Sequence, residues 1–141
     1  MTFSWNIEGV EKHILALEYL LSKFKPDIWC LQETKCPQVY ESNLQNTFPF
    51  FITKLNSQEN HNQFVPRLLN SRNVQHCGTS LSIAKKYRKV NRFLISNDSR
   101  ITSSKVMIND QDILSISAYF PTDGDNECQA KFEEFVTFRN L

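Results

Sequence analysis

Alternation of hydrophobic and polar residues begins at the N-terminus and predicts a strand over residues 3–8. The polar face of this segment presents Asn6 and Glu8 in the same direction, because side chains two residues apart share one face of a strand. The apolar face consists of Phe3, Trp5 and Ile7. The chain therefore opens with a half-buried strand that carries two polar groups near its end.

A helix and a second strand follow. After Gly9, apolar residues recur at intervals of three and four, which predicts an amphipathic helix over residues 10–24 that Pro26 ends. The run from Asp27 to Glu33 is nearly continuous in apolar residues and ends in polar groups, as in a central strand that is covered on both faces. Strand, helix and strand in succession predict an α/β layered fold.

The second half of the chain is richer in predicted strands. Asn109-Asp110 indicates a hairpin turn, and Tyr119 falls on the polar face of the last strand, near its carboxyl end. The other predicted elements are a short helix at 39–44, a short strand at 50–52, a polar loop at 56–62, strands at 78–84, 90–95, 101–108 and 113–120, and a helix at 128–141. The last helix reaches the C-terminus without a cap, so we expect residues 1–141 to be a partial domain.

Charge is distributed unevenly along the chain. The net charge is +1, but between Arg67 and Lys105 there are nine basic residues and one acidic residue. This segment either attracts a polyanion such as DNA or forms an ordinary solvated surface. Its densest part is a turn that contains Lys85, Lys86 and Lys89, which are the candidate nucleic-acid contacts.

The cysteines and the hydropathy profile bear on location. The four cysteines form no C-x-x-C pair and are too sparse for a secreted disulfide framework, so we expect reduced thiols and an intracellular protein, with the nucleus as a candidate compartment. No secretory signal and no run long enough to span a bilayer is present, so we expect no membrane association.

Polar groups occur where three of the predicted strands end. Asn6 and Glu8 follow the first strand, Gln32 and Glu33 end the second, and Tyr119 stands near the end of the last. Ligands in open α/β sheets gather outside the carboxyl ends of strands, so this placement predicts a functional site.

Four motifs in the right order resemble those of the endonuclease/exonuclease/phosphatase superfamily, which includes DNase I-like and AP-endonuclease-like proteins. The second motif is similar to the superfamily's PDI-x-x-LQETK strand. The motifs are Ser4-Trp5-Asn6-Ile7-Glu8-Gly9, Asp27-Ile28-Trp29-Cys30-Leu31-Gln32-Glu33-Thr34-Lys35, the glycine-led strand at 78–84 with Ser99-Arg100-Ile101, and Ala118-Tyr119-Phe120-Pro121-Thr122-Asp123-Gly124. The first and the last are most similar to endonuclease domains of non-LTR retroelements.

This resemblance implies a fold and a chemistry. The fold would be a DNase I-like two-sheet sandwich flanked by helices, incomplete because its C-terminal strands are missing. Glu33 would bind a catalytic Mg²⁺ or Mn²⁺ with Glu8 beside it, and Asn6 would orient the phosphate or a neighbouring carboxylate. Tyr119 would contact the scissile phosphate, and Arg100 would contact the nucleic-acid backbone. The implied function is metal-dependent phosphodiester hydrolysis, in the form of endonucleolytic nicking of DNA.

The sequence also departs from the superfamily pattern. Thr122 stands where AP endonucleases carry Asn, and Glu8 replaces their more usual Asp. The later Asp-x-Asn and Ser-Asp-His motifs are absent, and His13, His61 and His76 do not stand in the right context to replace them. We therefore expect the chain to be inactive alone. Two alternatives stay open: a phosphatase or sphingomyelinase relative that acts on phosphorylated lipids or inositols, and a non-catalytic retroelement remnant.

Overall fold

The computed structural model describes residues 1–57, 78–90, 92–94 and 99–120, which form two β-sheets, two α-helices and two short 3₁₀ segments. The elements are β1 (Thr2–Asn6), α1 (Val10–Phe24), β2 (Ile28–Gln32), a 3₁₀ turn (Gln38–Tyr40), α2 (Glu41–Thr47), β3 (Phe51–Asn56), β4 (Thr79–Ala84), a second 3₁₀ segment (Lys85–Val90), β5 (Arg92–Leu94), β6 (Ile101–Ile108) and β7 (Gln111–Ala118). The first sheet has the order β1-β2-β4-β3, and the second has the order β5-β6-β7.

The predicted opening unit is confirmed. β1 and β2 are parallel neighbours, in a register that runs from Thr2 opposite Ile28 to Asn6 opposite Gln32, and α1 connects them. The first strand is shorter than predicted, because it ends at Asn6 and not at Glu8. Glu8 has a left-handed backbone (φ 49°), so the strand alternation that would align its side chain with Asn6 does not reach it.

One hydrophobic core lies between the first sheet and the helices. Trp29 is fully buried there and meets the rings of Phe48 and Phe51 edge-on, at centroid distances of 5.3 and 5.8 Å. The apolar stripe of α1 faces this core with Val10, Leu17 and Leu21 buried and Ile14 half-buried. Phe24, the last member of the predicted stripe, is instead 43% exposed, because it stands at the end of the helix where the core stops.

A second core separates the two sheets. Its buried members are Ile28, Cys30, Leu81, Ile83 and Val106. Since β2 contributes to both cores and has a neighbour on each side, the prediction of a central strand covered on both faces is confirmed.

The remaining boundaries differ from the predictions by a few residues. The predicted helix at 39–44 is a 3₁₀ turn followed by α2, and the predicted strand at 50–52 extends to Asn56 because it pairs with β4 along its whole length. The turn at Asn109 and Asp110 is confirmed. Both residues are left-handed (φ 51° and 60°), as two-residue hairpins require, and β7 therefore begins earlier than predicted, with Gln111 opposite Ile108.

Several predicted features lie outside the described residues. They are most of the polar loop at 56–62, the turn at 121–124, the helix at 128–141, and His61 and His76. Within the part of the chain that the structure describes, no helix is both long enough and apolar enough to cross a membrane.

A candidate active site at the edge of both sheets

The parallel pairing of β1 and β2 brings Asn6 and Glu33 together. Asn6 ends β1 opposite Gln32, and Glu33 follows Gln32 directly. The backbone beyond the strands stays joined, because the amide of Gly9 donates to the carbonyl of Glu33 (2.9 Å) and the amide of Val10 donates to the carbonyl of Thr34 (2.9 Å). The two residues that the sequence placed at strand ends therefore share one edge of the sheet.

The backbone of Glu33 is held in a left-handed conformation (φ 51°), which a residue with a side chain adopts only where its surroundings fix it. Those surroundings include Gly78, whose carbonyl accepts a hydrogen bond from the amide of the buried Thr34 (3.1 Å). A Cβ atom at Gly78 would lie 2.2 Å from Thr34 Oγ1, so only glycine allows this approach. The segment that carries Glu33 is thus fixed from both sides.

The carboxylate of Glu33 collects hydrogen bonds from both sheets. Tyr119, just after β7, donates to it, and so do Asn6 and Lys35, whose Nζ lies 3.5 Å from Oε2. The bond from Tyr119 is the largest cause that lowers the pKa of Glu33, and the bonds from Asn6 and Lys35 act in the same direction against partial desolvation. The side chain is 15% exposed, so an ionised carboxylate stands at a surface that a ligand can reach.

Arg100 and Tyr119 are neighbours at the same end of the second sheet. The amide of Tyr119 donates to the carbonyl of Arg100 (2.9 Å), next to the last pair of the ladder, Ile101 opposite Ala118. Both residues are half-buried. The structure therefore brings the four predicted site residues Asn6, Glu33, Arg100 and Tyr119 to one edge of the molecule.

Replacing Tyr119 with Phe should raise the pKa of Glu33, because its largest stabilising hydrogen bond is removed. A lowered pKa contributes stability that is fully present above the ordinary glutamate value of 4.5 and is lost as the pH falls through the folded value. In Tyr119→Phe this contribution to stability should be smaller, and its loss should be complete at a higher pH. A ¹³C NMR titration of the Glu33 carboxyl measures the change, and Tyr19→Phe, at an exposed position on α1, is the control. If Glu33 titrated with the same pKa in both variants, Tyr119 would not be the main cause of its lowered pKa.

Glu8 is less closely tied to the site. It stands two residues beyond β1, is exposed, and takes part in none of the ion pairs among the described residues. In residues 1–57, 78–90, 92–94 and 99–120 no group of three His, Cys, Asp or Glu side chains could hold a metal ion. Among the described residues at this site, the oxygen atoms that could bind a metal ion are those of the Glu33 carboxylate, the Asn6 amide and the Tyr119 hydroxyl.

The lysine turn lies at the other end of the first sheet. β4 runs antiparallel to β2, so its last residues pair near the start of β2, and the amide of Ala84 donates to the carbonyl of Asp27 (2.8 Å). Lys86 Nζ lies 2.5 Å from Asp27 Oδ1, and this contact is the main cause that lowers the pKa of Asp27 to about 2. β2 separates Lys85 and Lys86 from Glu33 by roughly 16 Å, at about 3.3 Å per residue. Lys89 belongs to the same 3₁₀ segment.

An open cavity of about 650 Å³ occupies this opposite end. Its walls include Leu21, Phe48 and Phe51, and Lys85 and Lys86 lie at it as well. Because this cavity is at the amino end of β2, it does not belong to the group around Glu33.

The sequence did not reveal every residue that shapes the site. The contact between Gly78 and Thr34 joins positions far apart in the chain, and the only local signal was the glycine at the start of a strand. A hydrogen bond from Gln32 Nε2 to Ser117 Oγ (3.1 Å) joins the two sheets next to the site, and no local pattern predicts such a bond. His13, which the sequence analysis set aside as a catalytic candidate, packs its ring against Trp5 at 5.8 Å.

Three solved structures have similar folds. The AP endonuclease LMAP from Leishmania major matches with a TM-score of 0.60 and 16% identity over 93% of this chain and 42% of that chain. The 3′ phosphatase NExo from Neisseria, bound to product DNA hairpin, matches with a TM-score of 0.61 and 17% identity over 94% of this chain and 47% of that chain. TDP2 from D. rerio, complexed with single strand DNA product, matches with a TM-score of 0.61 and 14% identity over 96% of this chain and 52% of that chain. At identities this low, the structural likeness shows the fold alone. The chain spans about half the length of each of these proteins.

The fold expectation is confirmed: the two sheets with their helices form the DNase I-like α/β architecture of these structures. A comparison with curated proteins gave no significant match. The family model described as Endonuclease/Exonuclease/phosphatase family matches residues 3–112, which is most of the chain. On that match, the chain belongs to the endonuclease/exonuclease/phosphatase family.

Proposed function

We propose that this chain supplies the metal-binding and phosphate-orienting part of a phosphodiesterase site that nicks DNA. The observation that supports this proposal is the meeting of Asn6, Glu33 and Tyr119, from two sheets, around one ionised carboxylate. A carboxylate that accepts hydrogen bonds from an amide and a phenol is held in one orientation before any substrate arrives. The DNA products bound in two similar structures make DNA the first substrate to test.

The donors around Glu33 fit Mg²⁺ or Mn²⁺. The Glu33 carboxylate, the Asn6 amide oxygen and the Tyr119 hydroxyl are oxygen groups, and Mg²⁺ is commonly held by one or two carboxylates while water and substrate phosphate oxygens complete its coordination. The close approach of Lys35 Nζ to Glu33 Oε2 shows that this carboxylate already attracts a cation. In the proposal Glu33 is the principal ligand and Glu8 a second acidic group nearby. A bound divalent ion would neutralise charge on the phosphate and on the leaving oxygen.

Each residue of the site then has a separate task. Asn6 orients the Glu33 carboxylate, and its amide can also donate to a phosphate oxygen. The Tyr119 hydroxyl reaches the same carboxylate and would donate to the scissile phosphate once a cation replaces that contact. Arg100, beside Tyr119 at the end of the second sheet, would contact the backbone of the nucleic acid.

The group that activates the attacking water would come from elsewhere. The family resemblance assigns it to Asp-x-Asn and Ser-Asp-His motifs, and the 141 residues contain neither. General acid–base catalysis contributes a factor of roughly 10² to 10⁴, so we expect the chain alone to hydrolyse phosphodiesters very slowly. A polypeptide that combines this chain with those motifs should be active.

The test is a hydrolysis assay on such a polypeptide and on the 141-residue chain. The substrates are supercoiled plasmid, an oligonucleotide with a 3′-phosphate, an inositol polyphosphate and sphingomyelin, each with Mg²⁺ or with EDTA. Nicking that requires Mg²⁺ in the longer polypeptide supports the proposal. Metal-independent activity, or no activity on any phosphate ester in the presence of the missing motifs, would overturn it.

The same panel separates the second candidate, a phosphatase or sphingomyelinase activity on phosphorylated lipids or inositols. The family description includes phosphatases, and one similar structure is a 3′ phosphatase. Preferential hydrolysis of the inositol or lipid substrate would favour it. The retroelement assignment, a nuclear location and a non-catalytic remnant remain predictions, and the reading frame that follows this chain tests the first and the last.

The basic residues should affect DNA binding in two different ways. Log affinity should fall with log salt at roughly 0.9 per phosphate contact on duplex DNA. Replacing Lys85, Lys86 and Lys89 together with Gln should reduce that slope by about 2, and not by the full three contacts, because Asp27 already offsets the charge of Lys86. Arg100→Gln should weaken binding further, because Arg100 stands at the site edge.

DNA-binding titrations at several salt concentrations measure these slopes. Lys12→Gln, which removes one exposed positive charge from α1, is the control for net charge. An unchanged slope in the triple variant would show that the lysine turn is only a solvated surface. A slope that changes equally in the Lys12 and Arg100 variants would show that Arg100 has no specific contact.

A further inference from the structure

Four polar residues form one row across the first sheet at the edge that carries the site. Asn6 is opposite Gln32, Gln32 is opposite Thr79, and Thr79 is opposite Asn56. Residues in register on neighbouring strands direct their side chains to the same face. We call this set the polar row.

Three members of the polar row bond to the second sheet. Gln32 Nε2 donates to Ser117 Oγ (3.1 Å) and also to Ser4 Oγ (3.2 Å). Asn56 Nδ2 donates to the carbonyl of Ile101 (2.8 Å). Thr79 Oγ1 lies 2.7 Å from Thr102 Oγ1 and donates to the carbonyl of Ser99 (3.1 Å). The sheets are therefore joined by directional bonds along this edge.

On the two central strands, β2 and β4, the next rows towards the opposite edge are apolar. Cys30 stands opposite Leu81, and Ile28 stands opposite Ile83, and all four belong to the core between the sheets. Apolar contacts hold two sheets together but are non-directional, so they tolerate small shifts of one sheet over the other. Hydrogen bonds weaken steeply with distance and angle, so each bond of the polar row fixes the position of the second sheet over its own strand.

The bond between Gln32 and Ser117 stands next to the bond between Glu33 and Tyr119. Glu33 follows Gln32 in the chain, and Ser117 precedes Tyr119 by two residues, so both bonds involve the end of β7 and the residue after it. The Ser117 hydroxyl in turn donates to the carbonyl of Leu31 (3.1 Å), so this serine contacts β2 twice. Any shift that lengthened these bonds would also move Tyr119 away from Glu33.

We infer that Gln32 and Ser117 are positioning residues, which hold the Tyr119 phenol against the Glu33 carboxylate by fixing one sheet over the other. The role of this arrangement in hydrolysis rests on the proposed function, but the arrangement itself does not. The two residues act through Tyr119 and touch no reacting atom.

The decisive variant is Gln32→Met, which preserves the length of the side chain and removes its hydrogen bonds. Thr79→Val is the matched control, because it removes bonds between the sheets from the same row at a strand that does not carry Glu33. The 141-residue chain is labelled with fluorotyrosine, and the ¹⁹F signal of Tyr119 is identified by its loss in Tyr119→Phe. Glu33→Ala gives the reference signal for a phenol that has lost its hydrogen-bond partner.

The ¹⁹F signal of Tyr119 should move towards that reference in Gln32→Met and in Ser117→Ala, and should stay at the wild-type position in Thr79→Val and Ser117→Thr. A wild-type signal in Gln32→Met overturns the inference, and so does an equal shift in Thr79→Val, which would make the polar row merely structural. This measurement requires no hydrolysis, so it tests the inference even if the proposed function fails.

The hydrolysis assay adds a second criterion. Because a displacement of about 1 Å can cost roughly a hundredfold in rate, Gln32→Met should lower kcat by a factor of about 10 to 100 with little change in KM. Combined with Tyr119→Phe it should cause almost no further loss, since both changes remove the same contact. The factors by which Thr79→Val and Tyr119→Phe each lower kcat should instead multiply in the double variant. Multiplying losses for Gln32→Met and Tyr119→Phe would overturn the inference, whereas full activity in Glu33→Gln would overturn only the proposed function.

Discussion

Replacing Glu33 with Gln should reduce Mg²⁺-dependent hydrolysis by at least about a hundredfold in a polypeptide that completes the site. Residues that only support metal ligands typically contribute 10- to 100-fold, and Glu33 would be a direct ligand. The substitution keeps the size of the side chain and its ability to accept bonds from Asn6 and Tyr119, but it removes the negative charge that a divalent cation requires. Initial rates of plasmid nicking, measured over a range of Mg²⁺ concentrations, give the effect on both rate and metal requirement.

Two further measurements make this result specific. Mn²⁺ binding followed by electron paramagnetic resonance should weaken in Glu33→Gln, and this reading does not depend on turnover. Glu18→Gln is the matched control, because it removes one carboxylate from an exposed position at the opposite end of the first sheet. Equal metal affinity in wild type and Glu33→Gln would contradict the assignment of Glu33 as a ligand, and a comparable loss in Glu18→Gln would show a general effect of charge.

Gly78→Ala should destabilise the protein more than an ordinary substitution of glycine. The left-handed backbone (φ 99°) costs an alanine roughly 1–2 kcal/mol, and the new Cβ would also lie 2.2 Å from the buried Thr34 Oγ1. Overpacking of this kind typically adds about 1–3 kcal/mol. Urea unfolding should therefore show a decrease of roughly 2–5 kcal/mol in the free energy of unfolding, and because Thr34 follows Glu33, metal affinity should fall as well.

The chain contains a matched control for the backbone contribution. Gly9 has a similar left-handed conformation (φ 109°), but a Cβ there would meet only the side chain of Lys12, at 3.7 Å. Gly9→Ala should therefore show the conformational cost alone. Adding Thr34→Ala to Gly78→Ala should recover the part of the loss that comes from the clash. If the two single glycine variants lost equal stability, the tight contact between Gly78 and Thr34 would be refuted.

The α/β opening of the fold could be predicted because its signals are local. The alternation before Asn6 and the stripe of α1 each depend on residues close in sequence, and both elements form where expected. The exception is Glu8, where the chain leaves the strand to enter the helix. Alternation cannot reveal that point, because a left-handed residue breaks the period without changing the pattern of apolar residues.

The candidate site could be predicted only in part. Family motifs pointed to Asn6, Glu33 and Tyr119, and the structure brings these together, but the motifs do not include the lysine turn and could not give its position in the fold. That position follows from the antiparallel pairing of β2 with β4, which places Lys85 at the amino end of β2. Contacts between sheets, such as that of Gln32 with Ser117, depend on how distant strands stack, which no single segment specifies.

The two cores give the protein two internal chemical reporters. Cys30 is buried between the sheets, whereas Cys36 is buried on the helix side of the first sheet. Burial raises the pKa of each thiol to about 11, so both are almost wholly protonated at neutral pH and react slowly with alkylating reagents while the fold is closed. Because the two thiolates are suppressed to a similar degree, their relative alkylation rates, followed by mass spectrometry of each peptide, report which layer opens first. The alkylation rate of Cys30 thus reports separation of the two sheets, and the alkylation rate of Cys36 reports detachment of the helices from the first sheet.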